Sequence, residues 1–329
     1  MLGGILALVS AVTFAYANAS MRRGVLTGTV LQAVATSMPI GVLLLVLVML
    51  PTGGFRILAG FSQRSWLLLI LAGVIHFAWG RYCNYRATKA IGANLVAPIQ
   101  QYSLIVTLTL AVLWLGEPLT LLRIIGIALV IVGPGFTLAP EKPAASSVPP
   151  ETPGETAFVP QYAEGYIYAL LSSIGFGLSP ILFNLAFGKG GLAVGIAGGF
   201  VAYLSASAAV ALTLLIPGKW TELRAIDRAN SWWFFVSGVM VCVSQVTRIM
   251  AFAVAPVSVV SPIARLSLVF RIYVGRWLNP KHEIFGPGVV WGTVISLIGA
   301  FALSVSVDDV AQALPLPSWL ATALAWHWP

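Results

Sequence analysis

Four arginines, Arg81, Arg248, Arg265 and Arg271, stand inside long apolar runs of this 329-residue chain. A guanidinium near the centre of a bilayer costs roughly 2.5–3.5 kcal/mol on insertion scales, so each of the four needs a backbone carbonyl, a water or an anion beside it. Its planar fork donates two hydrogen bonds to one carboxylate or phosphate. The ten acids, Glu117, Glu141, Glu151, Glu155, Glu164, Glu222, Asp227, Glu283, Asp308 and Asp309, all fall between apolar runs or at their ends. A carrier that trades drug cations for protons keeps an acid within the membrane that either ion can occupy. The chemistry to expect is therefore recognition of an anionic or zwitterionic small molecule.

His76 is the one histidine inside an apolar run; His282 and His327 lie in a loop and in the tail. It can carry a coupling proton, because imidazole titrates near neutral pH, or simply hydrogen-bond a neighbouring helix. No acid stands mid-run to complete a catalytic pair with it, so the chain does not read as an enzyme. Cys83 and Cys242 are isolated in apolar surroundings, with neither metal-ligand spacing nor a disulfide framework. No metal and no cofactor is expected.

The elements that must position these residues are set by composition. Apolar residues make up 59% of the chain and charged residues 9%, with a mean hydropathy of +0.94. Soluble domains carry roughly 25% charge, so cytosolic enzymes, nucleic-acid binders and secreted scaffolds are excluded. A membrane-spanning helix needs roughly 20 apolar residues. Ten such segments are read at 2–20, 28–50, 66–87, 92–115, 119–139, 165–187, 192–216, 232–254, 257–278 and 286–306. The fold class is an all-α integral membrane protein in a lipid bilayer.

The segments repeat. Gly3, Ala7, Leu8, Ser10 and Phe14 recur 162 positions later as Gly165, Ala169, Leu170, Ser172 and Phe176. Pro98, Ser103 and Leu104 recur at 164, and Glu117, Gly126 and Gly133 recur at 166. A cleaved signal peptide would not be repeated as a later helix, so the first segment reads as a span. The chain divides into a five-helix repeat at 1–138, a Pro- and Glu-rich linker at 139–164, a second repeat at 165–306 and a tail at 307–329. Five is odd, so the second copy is inverted relative to the first, an architecture that places a substrate site near the midplane between halves.

Ala90-Ile91-Gly92-Ala93-Asn94-Leu95-Val96-Ala97-Pro98, with Leu113-Trp114-Leu115-Gly116-Glu117-Pro118-Leu119-Thr120 and Gly126 to Gly133, resembles the EamA-type transporters of the drug/metabolite transporter superfamily. The second copy is degenerate: Asn279-Pro280-Lys281-His282-Glu283 replaces the Gly-Glu turn. The resemblance implies ten helices and secondary transport, often efflux, of small polar metabolites. For a bacterial chain this means the cytoplasmic (inner) membrane.

Ser258, Pro262 and Arg265 share one helical face, and Asn94, Pro98 and Gln101 share the corresponding face in the first half. The expected cavity has Arg265 as principal anion anchor and Arg248 and Arg81 as secondary ones. Asn94, Gln101, Tyr102, Ser258, Gln245, Tyr82 and Trp79 line it. Pro98 and Pro262 break their helices so that freed carbonyls can face a cavity, and Glu117 and Glu283 cap helix starts. Arg81 and Arg271 also admit a structural reading, pinning one helix to another.

Three other functions are weighed against transport: a flippase for a lipid-linked headgroup, a nontransporting membrane scaffold, and an integral membrane enzyme, for which no paired acid and base can be nominated. The partners are a small-molecule substrate and the bilayer, with no nucleic acid, as a monomer or homodimer. Odd-numbered connections are richer in Lys and Arg than even-numbered ones, which puts both termini outside the cytoplasm; the family resemblance implies the opposite. The tail carries Trp319, Trp326 and Trp328 and reads as an interfacial helix or as disorder.

Overall fold

The computed structural model describes residues 2–115, 119–136, 158–187, 191–254, 260, 263–305, 308, 317, 319, 323 and 326–328. Eight of the described helices are long and apolar enough to cross a membrane. These are α1 (Leu2–Val25), α2 (Val30–Thr52), a third span at Gln63–Ile91, a fourth at Ala93–Trp114, α9 (Tyr162–Phe187), α10 (Leu192–Thr213), α12 (Arg228–Val254) and α14 (Pro287–Ser304). Two further helices, α8 (Leu121–Gly135) and α13 (Ser267–Leu278), stand where the fifth and ninth spans are expected but are shorter. Residues 137–139, 255–259, 261 and 262, which would extend them, lie outside the described residues. Short helices α3 (Gly54–Ala59) and α11 (Lys219–Arg224) follow the second and seventh spans.

Local chemistry sets the boundaries. Thr29 and Gln32 form a reciprocal capping box at the start of α2. At its end Gly53 takes the left-handed conformation, φ 66°, which only glycine adopts without strain. The third span is composite: α4 (Gln63–Gly73), a π-helical turn at Val74–Gly80, and α5 (Arg81–Ile91). The fourth comprises α6 (Ala93–Ile99) and α7 (Tyr102–Leu115), broken after Pro98 by a turn at Gln100–Gln101. Gly92 alone joins these two spans, at φ 86°.

The spans pack through small residues. The face of α1 that meets other helices carries Ala7, Ala11, Ala15, Ala19 and Ser10, all buried, whereas Leu2, Ile5 and Leu8 are exposed. Between membrane helices such surfaces let backbones approach closely while larger apolar side chains face lipid. α1 runs antiparallel to α12: Ser10 and Ser244 hydroxyls meet at 3.1 Å, and Ser237 donates to the Ala17 carbonyl at 2.8 Å. The third span runs antiparallel to α9, with His76 Nδ1 2.6 Å from Ser179 Oγ and Ile91 against Gly165.

The fourth span lies parallel to α9, where Ser173 donates to Ile99 O and Thr107 to Gly177 O. α13 lies parallel to α1, where Asn279 donates to Ala19 O and Arg271 covers the Phe14 ring. α2 crosses α10 with Gly41 under the Tyr203 ring. α8 and α14 run antiparallel through two glycine pairs, Gly126 with Gly299 and Gly133 with Gly292; a Cβ at Gly299 would lie 2.8 Å from the Gly126 carbonyl.

At residues 326–328 the tail is neither helix nor free chain. A two-residue strand, β2 (His327–Trp328), pairs antiparallel with β1 (Leu119–Thr120), and Leu121 N donates to Trp326 O at 2.8 Å. The remaining expectations for the tail fall mostly outside the described residues.

Candidate functional site

A cavity of about 210 Å³ lies where α1, the third and fourth spans, α9, α12 and α13 meet. Four arginines reach it: Arg81 from α5, Arg248 from α12, Arg265 from the turn before α13, and Arg271 from α13. Among the described residues no carboxylate lines it. His76, Gln101 and Gln245 border it as well.

The four cations are held differently. Arg81 donates to Tyr203 Oη at 2.9 Å and approaches the Met38 sulfur at 3.9 Å. The Phe77 and Tyr203 rings flank it at 5.0 and 5.3 Å, each attracting the cation through its π face. Arg271 donates to Gln100 Oε1 at 3.0 Å, Gln100 in turn donates to Asn84 Oδ1 at 2.7 Å, and Arg271 Nε has no partner among the described residues. Among the described residues Arg248 bonds only the Gln245 side-chain oxygen one turn before it, and it is exposed by area although helices surround it, so its exposure is to the cavity. Arg265 is half-buried, feels the repulsion of Arg248, and has no hydrogen bond or ion pair among the described residues. Cations with unused donors and no described acid among them give the cavity a positive field, which favours negative charge over positive.

The π-helical turn shapes one wall. An extra residue per turn at Val74–Gly80 rotates the side chains that follow, and such turns recur at functional sites. It sets His76 on Ser179 with the Phe77 and Phe176 rings 4.5 and 4.7 Å away.

Not every expected liner reaches this cavity. Asn94 is buried beneath Glu283, its backbone N–H donating to the carboxylate. Tyr102 donates to Ile131 O on α8. Trp79 and Tyr82 instead line a larger cavity of about 1450 Å³, the vestibule, with Arg23, Lys89, Glu222 and His282. Ser258, Pro262 and Glu117 lie outside the described residues, and Pro98 is buried at the helix break. In the vestibule wall, the Lys219 ammonium 2.8 Å from Glu222 holds that carboxyl below the usual range.

Glu283 caps a helix, though not the one that follows it. Its two oxygens accept from Ala93 N at 2.8 Å and Asn94 N at 3.0 Å, at the start of α6 in the other half. A Cβ at Gly92 would lie 2.6 Å from Glu283 Oε2, so the Gly92-Ala93-Asn94 turn is shaped to receive this carboxylate.

Sequence reasoning missed Arg22 and Gln100 and left Arg271 outside the site, whereas Asn84, read with His76 and Arg81 as a polar residue of the third span, does line the cavity. Gln100 had a signal, an amide doublet that begins two residues after the helix-breaking Pro98. Arg22 had none, since a cation at the end of a span reads as a headgroup anchor.

The class this architecture defines is a polytopic, all-helical membrane protein with a basic central cavity. Residues 1–138 match the EamA-like transporter family, which bears out the resemblance read from the Ala90–Pro98 stretch. An uncharacterized transporter in the cobO 3' region of a Sinorhizobium species is 35% identical over 83 residues, 25% of this chain and 57% of that protein. The match thus spans a little over half of that curated relative. A solved crystal structure at 16% identity superposes with a TM-score of 0.55 over 96% of this chain and 98% of the other, so the fold is shared.

Proposed function

We propose that the protein is a secondary transporter that exports a small anionic or zwitterionic metabolite across a bacterial cytoplasmic membrane. It works by alternating access around the central cavity, between two inverted five-helix repeats. The observation that carries the cargo preference is the convergence of Arg248, Arg265 and Arg271 on a cavity that no described acid lines. The match of residues 1–138 to a transporter family supports transport in general.

The packing supports inversion. Exchanging the first five spans for the last five turns the α1 and α12 pair into α9 and the third span, and the fourth-span and α9 pair into α13 and α1. Antiparallel pairs map onto antiparallel ones and parallel onto parallel. The α8 and α14 pair maps onto itself, with Gly126 exchanging for Gly292 and Gly133 for Gly299.

The test is uptake into proteoliposomes with a panel of labelled organic acids, amino acids and nucleotides. Saturable flux of an anionic or zwitterionic compound is expected. Arg265→Gln should lower it roughly tenfold or more, the effect of losing a charged hydrogen bond of about 1.5–3 kcal/mol, and Arg265→Lys should lower it less. Unchanged flux in both variants removes Arg265 from the site; saturable flux of cations alone overturns the cargo assignment.

A further inference from the structure

Along α1 and the end of α5, the vestibule and the central cavity are separated by about one layer of side chains, and that layer is ionic. On α1, Asn18 lines the central cavity and Arg22 stands one turn further on. On α5, Asn84 lines the central cavity, Thr88 stands one turn further on, and Lys89 and Ala90 line the vestibule. One helical turn rises about 5.4 Å, so the layer between the two spaces is about one residue thick.

Arg22 and Glu283 fill it. Both side chains are fully buried, and Arg22 Nε lies 3.8 Å from Glu283 Oε1. Arg22 also donates to Thr88 O at 2.8 Å, Lys89 O at 2.9 Å and His282 O at 2.7 Å. It thus joins the end of α5 to the loop before α14, while Glu283 joins that loop to the start of α6. Phe158 covers the guanidinium from the outside at 4.3 Å, and Gln161 N donates to Ala90 O beside it.

This layer is unlike a packed apolar seal. Three of its five hydrogen bonds run between a side chain and a backbone group across the two halves, Arg22 to His282 O and Ala93 N and Asn94 N to Glu283, so a shift of the 282–283 loop relative to Gly92 breaks these three and the ion pair together. A buried charge stripped of its partners is strongly unfavourable, which leaves two settled arrangements: the layer intact, or the layer open with water on both charges.

We propose that Arg22 and Glu283 form the gate between the vestibule and the central cavity, opening when the Glu283 carboxylate leaves the Gly92-Ala93-Asn94 turn. This rests on the transport reading for its purpose, but its test needs no cargo. In a background with Cys83→Ser and Cys242→Ser, Val241→Cys places a thiol on the central cavity wall. Its reaction rate with a membrane-impermeant maleimide is measured in sealed vesicles, from the side that labels a separate Lys219→Cys reference.

With the gate intact, labelling of Val241→Cys from that side should be slow. Glu283→Gln and Arg22→Met should each raise the rate about tenfold, and Arg22→Lys should raise it less. Equal rates with and without the gate variants, or an intact protein already labelled as fast as Lys219→Cys, would overturn the proposal. Monodispersity by size-exclusion chromatography checks each variant's fold. If all three gate variants fail to fold, the pair is a structural staple and the gate assignment falls. Absence of flux for every compound leaves these labelling outcomes intact, so the two readings fail separately.

Discussion

Arg81 and Arg265 show how differently one residue type can be spent. Arg81 is buried, bonded to Tyr203 and flanked by two rings, which makes it a fixed part of the cavity wall. Tyr203→Phe keeps the ring and removes the 2.9 Å bond, so thermal stability in detergent should fall by about 1.5–3 kcal/mol; an unchanged melting temperature would show that the rings alone hold Arg81. Arg265 has no hydrogen bond or ion pair among the described residues, which suits the cargo role proposed for it. That both belong to the cavity was legible in sequence, because a cation inside an apolar run has few places to go. That Asn94 and Tyr102 turn elsewhere was not, because a helical face fixes direction only until a break such as Gly92 or Gln100–Gln101 resets it. Arg22 escaped because its meaning depends on Glu283, a partner in the other half.

Among the elements, the α8 and α14 pair has little tolerance for added volume. A Cβ at Gly299 meets the Gly126 carbonyl at 2.8 Å and the Val130 amide at 2.8 Å, and backbone cannot step aside as a side chain can. Gly299→Val should destabilise the protein by about 1–3 kcal/mol through overpacking. Gly135→Ala, two residues past Gly133 with nothing within 4 Å of its Cβ, should change stability by less than about 0.5 kcal/mol. A thermal-shift series over both sites checks the contrast; equal effects would mean the helices separate freely. The spans themselves were legible from apolar length, and the glycines that separate them from their spacing. The π-helical turn at Val74–Gly80 was not, since one extra residue in a turn leaves the apolar pattern unchanged over so short a stretch.

Across the whole molecule, contacts between the two halves make up much of the core: α1 with α12, the third span with α9, α8 with α14. The Ser10 and Ser244 hydroxyls meet at 3.1 Å, so cysteines at the two positions would bring their sulfurs into reach of each other. A Ser10→Cys/Ser244→Cys protein lacking Cys83 and Cys242 should cross-link within one chain on mild oxidation. The check is faster migration on nonreducing gels, and cross-linking only between chains would contradict the packing of α1 on α12. The repeat spacing of 162 to 166 is a property of the sequence. The packing of α1 on α12 was not legible from it, because a spacing records equivalence and says nothing of contact.

The glycine seam between α8 and α14 has the form of a twofold dimer interface folded into a single chain. Gly126 faces Gly299 while Gly292, the counterpart of Gly126, faces Gly133, the counterpart of Gly299. Each half therefore presents the surface that its own partner requires, which is the property that makes a contact between identical subunits close upon itself. Residues 1–138 and 158–329 synthesised as two separate polypeptides are therefore expected to co-purify through this seam, and Gly299→Val should weaken that association.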